Sequence, residues 1–260
     1  MKKKLHLYYI HYQSFVQFVK IYMAQMVKHN AEHLKLRYAV YMVISFVLVL
    51  WIIKAIEIAT GISFSSLGIL PRTLKGTVGI ITGPLIHGDI YHLISNTLPI
   101  LMLGILLFYF YNRIAIEIFI WIYLVSGFWI WLVARDAYHI GASGLVYGMA
   151  SFLFFSGILR RSRPLMTVSG IIILLYGGMV YGIFPGAVDF DVSWESHLMG
   201  ALVGIILAFL FRKTRIDIDH EENSGDLSEE KKDEDYFWNT NSTGSGDVTY
   251  FYKPKDYGKK

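Results

Sequence analysis

Six long stretches of mostly apolar residues lie within the first 211 residues of this 260-residue chain. The hydrocarbon core of a bilayer is about 30 Å thick, and a helix needs about 20 apolar residues to cross it. Gly, Pro or charged residues separate the stretches, so each one is predicted to form its own span. The predicted spans are Tyr38 to Ala59, Tyr91 to Tyr111, Ile114 to Ala134, Ala142 to Leu159, Leu165 to Ala187 and Ser196 to Phe211. The predicted fold class is an all-α, polytopic membrane helical bundle of six transmembrane helices.

The composition agrees with a membrane protein that carries a polar tail. Hydrophobic residues make up 54% of the chain and charged residues 17%, which is more apolar than an average soluble domain. Of the 44 charged residues, 21 lie between Arg212 and Lys260. Cysteine is absent, which excludes disulfides, thiolate metal sites and a cysteine nucleophile. The net charge of +4 does not indicate a nucleic-acid partner, because basic residues collect beside membrane spans.

The distribution of Lys and Arg predicts the orientation of the spans. Short cytoplasmic loops carry an excess of basic residues, and an even number of spans places both termini on one side. One side carries eleven such residues: Lys20, Lys28, Lys35, Arg37, Arg113, Arg160, Arg161, Arg163, Arg212, Lys213 and Arg215. The other side carries Arg72, Lys75 and Arg135. The N-terminus and the C-terminus are therefore both predicted to be cytoplasmic.

Three regions follow from these patterns. Residues 1–37 repeat apolar residues at helical spacing and predict a cytoplasmic amphipathic helix at the membrane interface. A seventh span is disfavoured by Lys20, and a signal peptide by the lack of a compact apolar region. Residues 38–212 form the predicted six-span domain. Residues 213–260 are acidic and then rich in Ser, Thr, Gly and Asn, which predicts a disordered, charged cytoplasmic tail.

Four polar residues in the spans are predicted to share one depth below the outer surface. His92 and Asn96 lie four residues apart near the outer end of the second span, Ser143 near the outer start of the fourth, and His197 near the outer start of the sixth. Polar side chains inside a bilayer are costly and are functional candidates by default. Their common depth suggests that they form one site.

Glycine spacing predicts how two of these spans meet. Gly144 and Gly148 in the fourth span, and Gly200 and Gly204 in the sixth, form small-xxx-small motifs that allow close helix approach. Such a contact would place His197 beside Ser143. A neutral histidine can activate a serine nucleophile, and no carboxylate in the spans is available as a third member. The pattern therefore predicts a Ser/His dyad.

The same sequence supplies groups that could stabilise an oxyanion. The side chains of His92 and Asn96 and the backbone N–H of Ser143 are donors of the required type. Two alternatives remain open. The glycines and polar residues could serve helix packing alone, or a metal could bind among His87, Asp89, His92, His139 and His197, although no H-E-x-x-H motif accompanies them. No metal or other cofactor is predicted.

These residues resemble the rhomboid family of intramembrane serine proteases over about residues 38–211. The family's G-x-S-G motif matches Gly141-Ala142-Ser143-Gly144, its second-span histidine and asparagine match His92 and Asn96, and its sixth-span histidine with packing glycines matches His197, Gly200 and Gly204. Tyr147 matches the family's tyrosine one turn after the serine, and His87 a frequent family histidine. One departure is Val78-Gly79, where many rhomboids carry Trp-Arg in the first outer loop.

The resemblance implies an intramembrane endopeptidase of the six-span bacterial form, in the inner membrane, with residues 38–212 as its protease domain. Its partners would be transmembrane protein substrates and the lipid bilayer, and its oligomeric state is undetermined by the sequence. It also implies that the fifth span, rich in glycine, is a lateral gate whose bulky residues include Tyr176 and Tyr181. A catalytically silent, client-binding relative and an unrelated polytopic transporter are the alternative functions.

Overall fold

The structure, a computed structural model, describes residues 2–186 and 192–216. Over these residues the fold is all-helical, and the backbone pairing outside helices includes an isolated antiparallel bridge between Ile69 and His139. The α-helices are α1 (Lys2–Thr60), α2 (Leu74–Thr82), α3 (Ile90–Phe110), α4 (Ala115–Val133), α5 (Ser143–Arg160), α6 (Arg163–Tyr176) and α7 (Trp194–Leu210). Short 3-10 helices span Ser65–Leu67, Gly83–Leu85 and Gly177–Ile183.

The helices confirm the predicted helical membrane bundle. Within residues 2–186 and 192–216, five helical segments are long and apolar enough to cross a bilayer, and α7, with 17 residues, is a shorter apolar helix. The second to sixth predicted spans agree with α3 to α7 within a few residues, except at the end of the fifth, where α6 ends at Tyr176 and the chain continues as the 3-10 helix Gly177–Ile183. The predicted end of that span, Ala187, lies outside the described residues. Local residues set these ends: the Asp89 side chain caps α3, Ser193 caps α7, and Pro164 lies in the first turn of α6.

The first helix differs from its predicted extent. Helix α1 runs without a break from Lys2 to Thr60, so the predicted amphipathic helix of residues 1–37 is continuous with the first span. The sequence has no Gly or Pro before Gly61, whose positive φ of 68° ends the helix. The interfacial position of residues 1–37 and the domain boundaries at 37 and 212 stay predictions. The predicted disordered tail, residues 213–260, lies outside the described residues from residue 217 onward.

The loop between α1 and α3 contains a helix, α2, that was not predicted. Its glycines allow backbones to touch, because a Cβ at Gly79 would lie 2.3 Å from the carbonyl carbon of Gly68. Arg72 ties this loop to the end of α4 by donating from Nη1 to the Ala134 carbonyl at 2.7 Å and by pairing with Asp136. Trp131 Nε1 donates to a loop carbonyl as well. The loop is thus held by contacts that do not need Trp-Arg at residues 78 and 79.

Helices α5 and α7 meet through their glycines, as the spacing predicted. A Cβ built on Gly200 would lie 2.0 Å from the Gly144 carbonyl oxygen, and one on Gly204 would lie 2.2 Å from the Gly148 carbonyl oxygen. Real Cβ atoms essentially never approach this closely, so only glycine fits these positions. The close contact brings the start of α5, with Ser143, beside the first turns of α7.

Candidate active site

A cavity of about 840 Å³ lies where α3, α5 and α7 begin. Five residues predicted to belong to one site line it together: Ser143, His197, His92, Asn96 and Tyr147. Loop residues 135–140 and the end of α6 also contribute to its walls. The topology therefore gathers side chains from three separate helices around one space, as the common depth of Ser143, His197, His92 and Asn96 predicted.

The imidazole of His197 is held in a defined orientation. It is buried on the first turn of α7, and its Nδ1 lies 2.9 Å from the Gly182 carbonyl oxygen. A carbonyl oxygen can only accept, so the proton of the neutral ring is on Nδ1 and the lone pair is on Nε2. The ring of Tyr147 stacks on the imidazole with centroids 4.2 Å apart and planes 6° apart. Gly182 and Tyr147 together set the tautomer and the plane of His197.

Ser143 is the first residue of α5 and is partly exposed at the cavity. The N–H groups of a helix's first turn have no intrahelical partner and carry partial positive charge. Ala142, the N-cap, offers no side-chain oxygen to satisfy them. Gly141 precedes it with φ of 103°, and a Cβ there would lie 2.6 Å from Cε1 of His92. Glycine at 141 thus lets the His92 ring lie against the turn that leads to Ser143.

His92 and Asn96 are positioned by the first turns of α3. The Asp89 carboxylate accepts the His92 backbone N–H at 2.8 Å, and this bond lowers the pKa of Asp89. Asn96 is buried, and its Nδ2 donates to the His92 carbonyl at 3.0 Å. A side-chain amide carries a second N–H. The structure therefore allows Asn96 to keep its helix bond and still donate to a group in the cavity.

His87 links this helix to the serine turn. Its side chain is 2% exposed, its ring lies 5.0 Å from that of His92 between centroids, and its Nε2 accepts the Ala142 N–H at 3.4 Å. Burial, with the nearby His92 as a smaller cause, lowers the pKa of His87 to about 4. The ring is neutral at pH 7, which is the state in which Nε2 can accept that N–H.

A charged pair behind His87 was missed by sequence reasoning. Lys54 Nζ, on α1, donates to the carbonyls of His87 at 2.9 Å and Gly88 at 3.0 Å and to Glu57 at 3.1 Å. Glu57 is buried, and its other oxygen accepts the Phe64 N–H at 2.7 Å. The pair fixes the turn before α3. The sequence did offer a signal for this pair: Lys54 and Glu57 have opposite charges and lie three residues apart in an apolar stretch. Charged residues within a membrane span are functional candidates by default.

A second supporting cluster holds the start of α7. His139 Nε2 donates to the Arg135 carbonyl at 3.0 Å, so its Nδ1 accepts from the Ser193 hydroxyl at 2.6 Å, and burial lowers the pKa of His139. Glu195, expected in a loop, is buried in the first turn of α7 and lies 3.6 Å from Arg135. The Nδ1 of His197 bonds to the backbone carbonyl of Gly182 and not to Glu195.

The metal alternative finds no support in the geometry of the described chain. Within residues 2–186 and 192–216, no three His, Asp or Glu side chains are grouped so that they could hold a metal ion. His139, one of the candidate ligands, uses both ring nitrogens on Ser193 and Arg135.

Comparison with known proteins assigns the family. A rhomboid domain is matched over residues 75–214, which is more than half of the chain. The chain belongs to the rhomboid family. The uncharacterized protein Rv1337 of Mycobacterium tuberculosis is 31% identical over 179 residues, which cover 65% of this rhomboid and 73% of the relative. The uncharacterized protein ML1171 of Mycobacterium leprae is 32% identical over 191 residues, covering 66% and 73%.

A plant relative is more distant. RHOMBOID-like protein 4 of Arabidopsis thaliana is 27% identical over 149 residues, which cover 54% of this rhomboid and 36% of the relative. Family membership and the apolar helices identify an integral, multi-pass membrane protein. Rhomboids are typically intramembrane proteases, but some members are inactive, so the activity has to be argued from the site.

Proposed function

We propose that this rhomboid is an intramembrane serine endopeptidase that cleaves transmembrane helices, with Ser143 as nucleophile and His197 as general base. One observation carries the proposal. The Gly182 carbonyl fixes the proton of His197 on Nδ1, which leaves Nε2 basic, and His197 lines the same cavity as Ser143.

The reaction proceeds in two stages. Ser143 Oγ attacks the carbonyl carbon of the scissile peptide bond while Nε2 of His197 takes the hydroxyl proton. The C–N bond then breaks, and His197 returns that proton to the leaving amine, which leaves an acyl ester on Ser143. Water attacks the ester with His197 again as base, and His197 then returns the proton to Ser143 Oγ as the new carboxyl end is released. The Gly182 carbonyl, which accepts the Nδ1–H, stabilises the imidazolium formed in both stages.

Donors around Ser143 would stabilise the oxyanion. The Ser143 N–H is at the positive end of α5, and His92 and Asn96 line the same cavity. Preorganised donors of this type act most strongly as negative charge develops on the carbonyl oxygen. Gly141, Gly144, Tyr147 and Gly200 support the site through the contacts described above, and the chemistry needs no metal or other cofactor.

A fluorophosphonate probe tests this function directly, because it forms a covalent bond with an activated serine. We expect the probe to label the wild-type protein in membranes and not the Ser143→Ala variant. A client-binding rhomboid without catalytic power, or a transporter, would show no labelling of the wild type. Labelling that persists in Ser143→Ala would assign the activated residue elsewhere and contradict the proposed dyad.

The oxyanion donors give a graded prediction. His92→Ala and Asn96→Ala should each lower kcat by about 10²–10³ with a smaller change in KM, because the lost bonds are strongest in the transition state. Thr97→Ala is the matched control on α3, since its hydroxyl contacts Trp51 and the Leu93 carbonyl. Steady-state cleavage of one transmembrane substrate measures all three. Wild-type turnover in both His92→Ala and Asn96→Ala would leave these residues a structural role only.

Substrate helices would reach the cavity laterally, between α3 and α6. Tyr176, the last residue of α6, lines the cavity, and its hydroxyl lies 3.3 Å from Sδ of Met102 on α3. The α-helix ends there, and the chain continues as a 3-10 helix over Gly177–Ile183. Tyr176 therefore bridges the two helices at the side of the cavity, where a transmembrane substrate would have to pass.

Removing that bridge should affect large substrates alone. Tyr176→Ala is expected to speed cleavage of a transmembrane substrate and to leave cleavage of a short soluble peptide nearly unchanged, because the peptide can enter from water. Tyr181→Ala is the control, since Tyr181 is 72% exposed and does not line the cavity. The structure thus separates two tyrosines that the sequence treated alike. Equal acceleration of both substrates would argue against lateral access.

The proposed orientation follows the excess of basic residues at the end of the bundle opposite the cavity. Both termini would be cytoplasmic, the protein would lie in the bacterial inner membrane, and cleavage would occur near the outer face of that membrane. The chain has no cysteine, so single cysteines introduced at Lys75 and Arg161 can be labelled without a background. A membrane-impermeant maleimide applied to intact cells should label the first position and not the second.

A further inference from the structure

A second cavity, of about 430 Å³, lies between α4 and α7. Trp121, Val125 and Trp129 form one wall at a spacing of four residues along α4, and α7 contributes Val203, Leu207 and Leu210 to the other. These spacings place each set on one helix face. None of these residues lines the cavity that contains Ser143. We call this second cavity the α4–α7 groove.

The groove is apolar and opens toward the region that the bilayer would occupy. Trp121 is 48% exposed, and Leu210 is more exposed still. If the groove were empty, the side chains that line it would lack dispersion contacts on one side. Inside a bilayer, an acyl chain or an apolar helix can supply those contacts. The walls alone do not distinguish the two occupants.

The end of the groove lies beside a short segment that carries three cationic residues. Phe211 and Thr214 line this end, and the exposed residues Arg212, Lys213 and Arg215 belong to the same short segment. Nη2 of Arg160, on α5, donates to the carbonyls of Phe211 at 2.6 Å and Thr214 at 2.9 Å. The segment that bears three cations is thereby held against the bundle, next to the groove.

We propose that the α4–α7 groove binds an anionic phospholipid, with an acyl chain against Trp121 and Trp129 and the phosphate beside Arg212, Lys213 and Arg215. Basic pockets between transmembrane helices on the cytoplasmic side bind anionic head groups in this way. A second copy of the chain, docked through the same groove about a two-fold axis, would bring an identical group of cations into the contact. The charge therefore favours the lipid.

Quenching of tryptophan fluorescence by phospholipids with brominated acyl chains tests this proposal in reconstituted vesicles. The fluorescence of the two groove tryptophans is obtained by subtracting the fluorescence of a Trp121→Phe/Trp129→Phe protein from that of the wild type. We expect brominated phosphatidylglycerol to quench that contribution at a lower mole fraction than brominated phosphatidylcholine, with roughly fivefold preference for each cation engaged. The assay needs no catalysis, so its outcome is independent of the proposed protease activity.

Two double variants separate a built site from general surface charge. Lys213→Gln/Arg215→Gln should lower the preference for the anionic lipid. Arg161→Gln/Arg163→Gln removes the same charge from exposed residues at or just before the start of α6 and should leave the preference unchanged. Val125→Phe should reduce quenching by both lipids, because the larger side chain fills the groove. An equal loss of preference in both double variants would overturn the specific site.

Two other results would also contradict the proposal. Equal quenching by both lipids would show that the groove takes an acyl chain without selecting a head group. Absence of quenching by either lipid, together with disulfide formation between copies of a Trp121→Cys protein, would show that a second copy occupies the groove. That cross-link can be assigned without ambiguity, because the chain has no other cysteine.

Discussion

Ser143→Ala is expected to abolish cleavage of a transmembrane substrate, and His197→Ala is expected to do the same. Loss of a nucleophile or its base in a serine protease lowers kcat on the order of 10⁶. The two residues act as one unit, so the double variant should be no slower than either single variant. The measurement is single-turnover cleavage in reconstituted vesicles, with a chelator present in parallel samples, where it should have no effect.

The matched variants show whether chemistry or folding has been lost. Ser143→Ala removes one partly exposed hydroxyl, so the thermal unfolding midpoint should stay near that of the wild type. His197→Ala also removes the ring that stacks on Tyr147. His197→Phe keeps a flat ring against Tyr147 but removes both the base and the bond from Nδ1 to the Gly182 carbonyl, so it should be inactive and more stable than His197→Ala. Cleavage by purified Ser143→Ala, or activity in His197→Phe, would refute the dyad.

Sequence reasoning located the spans because their limits are local. Runs of apolar residues end at residues such as Gly61 and Asp89, which stop or cap a helix whatever surrounds them. The start of the first span had no such marker, because no Gly or Pro interrupts residues 2 to 60. Helix α2 was missed for a related reason: it is short, and its place depends on backbone contact at Gly76 and Gly79.

The candidate site was predictable where polar side chains interrupt an apolar span, because such residues are easy to recognise in the sequence. Ser143 and His197 share a cavity because alternating spans return polar residues to one depth. The partner of His197 Nδ1 could not be predicted, since it is the backbone carbonyl of Gly182 and any residue has such a group. The role of Lys54 depends on carbonyls more than thirty residues away in sequence, which only the folded chain brings within reach.

The contact between α5 and α7 gives the second large expected effect: Gly200→Val should lower thermal stability and activity together. The added Cβ would lie 2.0 Å from the Gly144 carbonyl oxygen, which belongs to helix backbone and cannot rotate away. The helices would have to separate, and lipid offers no hydrophobic force to hold them together. Overpacking of this type costs about 1–3 kcal/mol even in adaptable cores, and Ser143 would move with α5.

The ranking of variants makes this prediction specific to the interface. Gly200→Ala should already be destabilising, whereas Gly144→Ala should be milder, because a Cβ there would lie 3.1 Å from the Ser196 carbonyl oxygen. Gly170→Val is the lipid-facing control, because Gly170 is an exposed position of α6 where an added Cβ would meet no neighbouring atom within 4 Å. Unfolding midpoints and cleavage rates should follow that order, since one displacement underlies both losses. A Gly200→Val protein as stable and active as Gly170→Val would show that the glycine contact does not position Ser143.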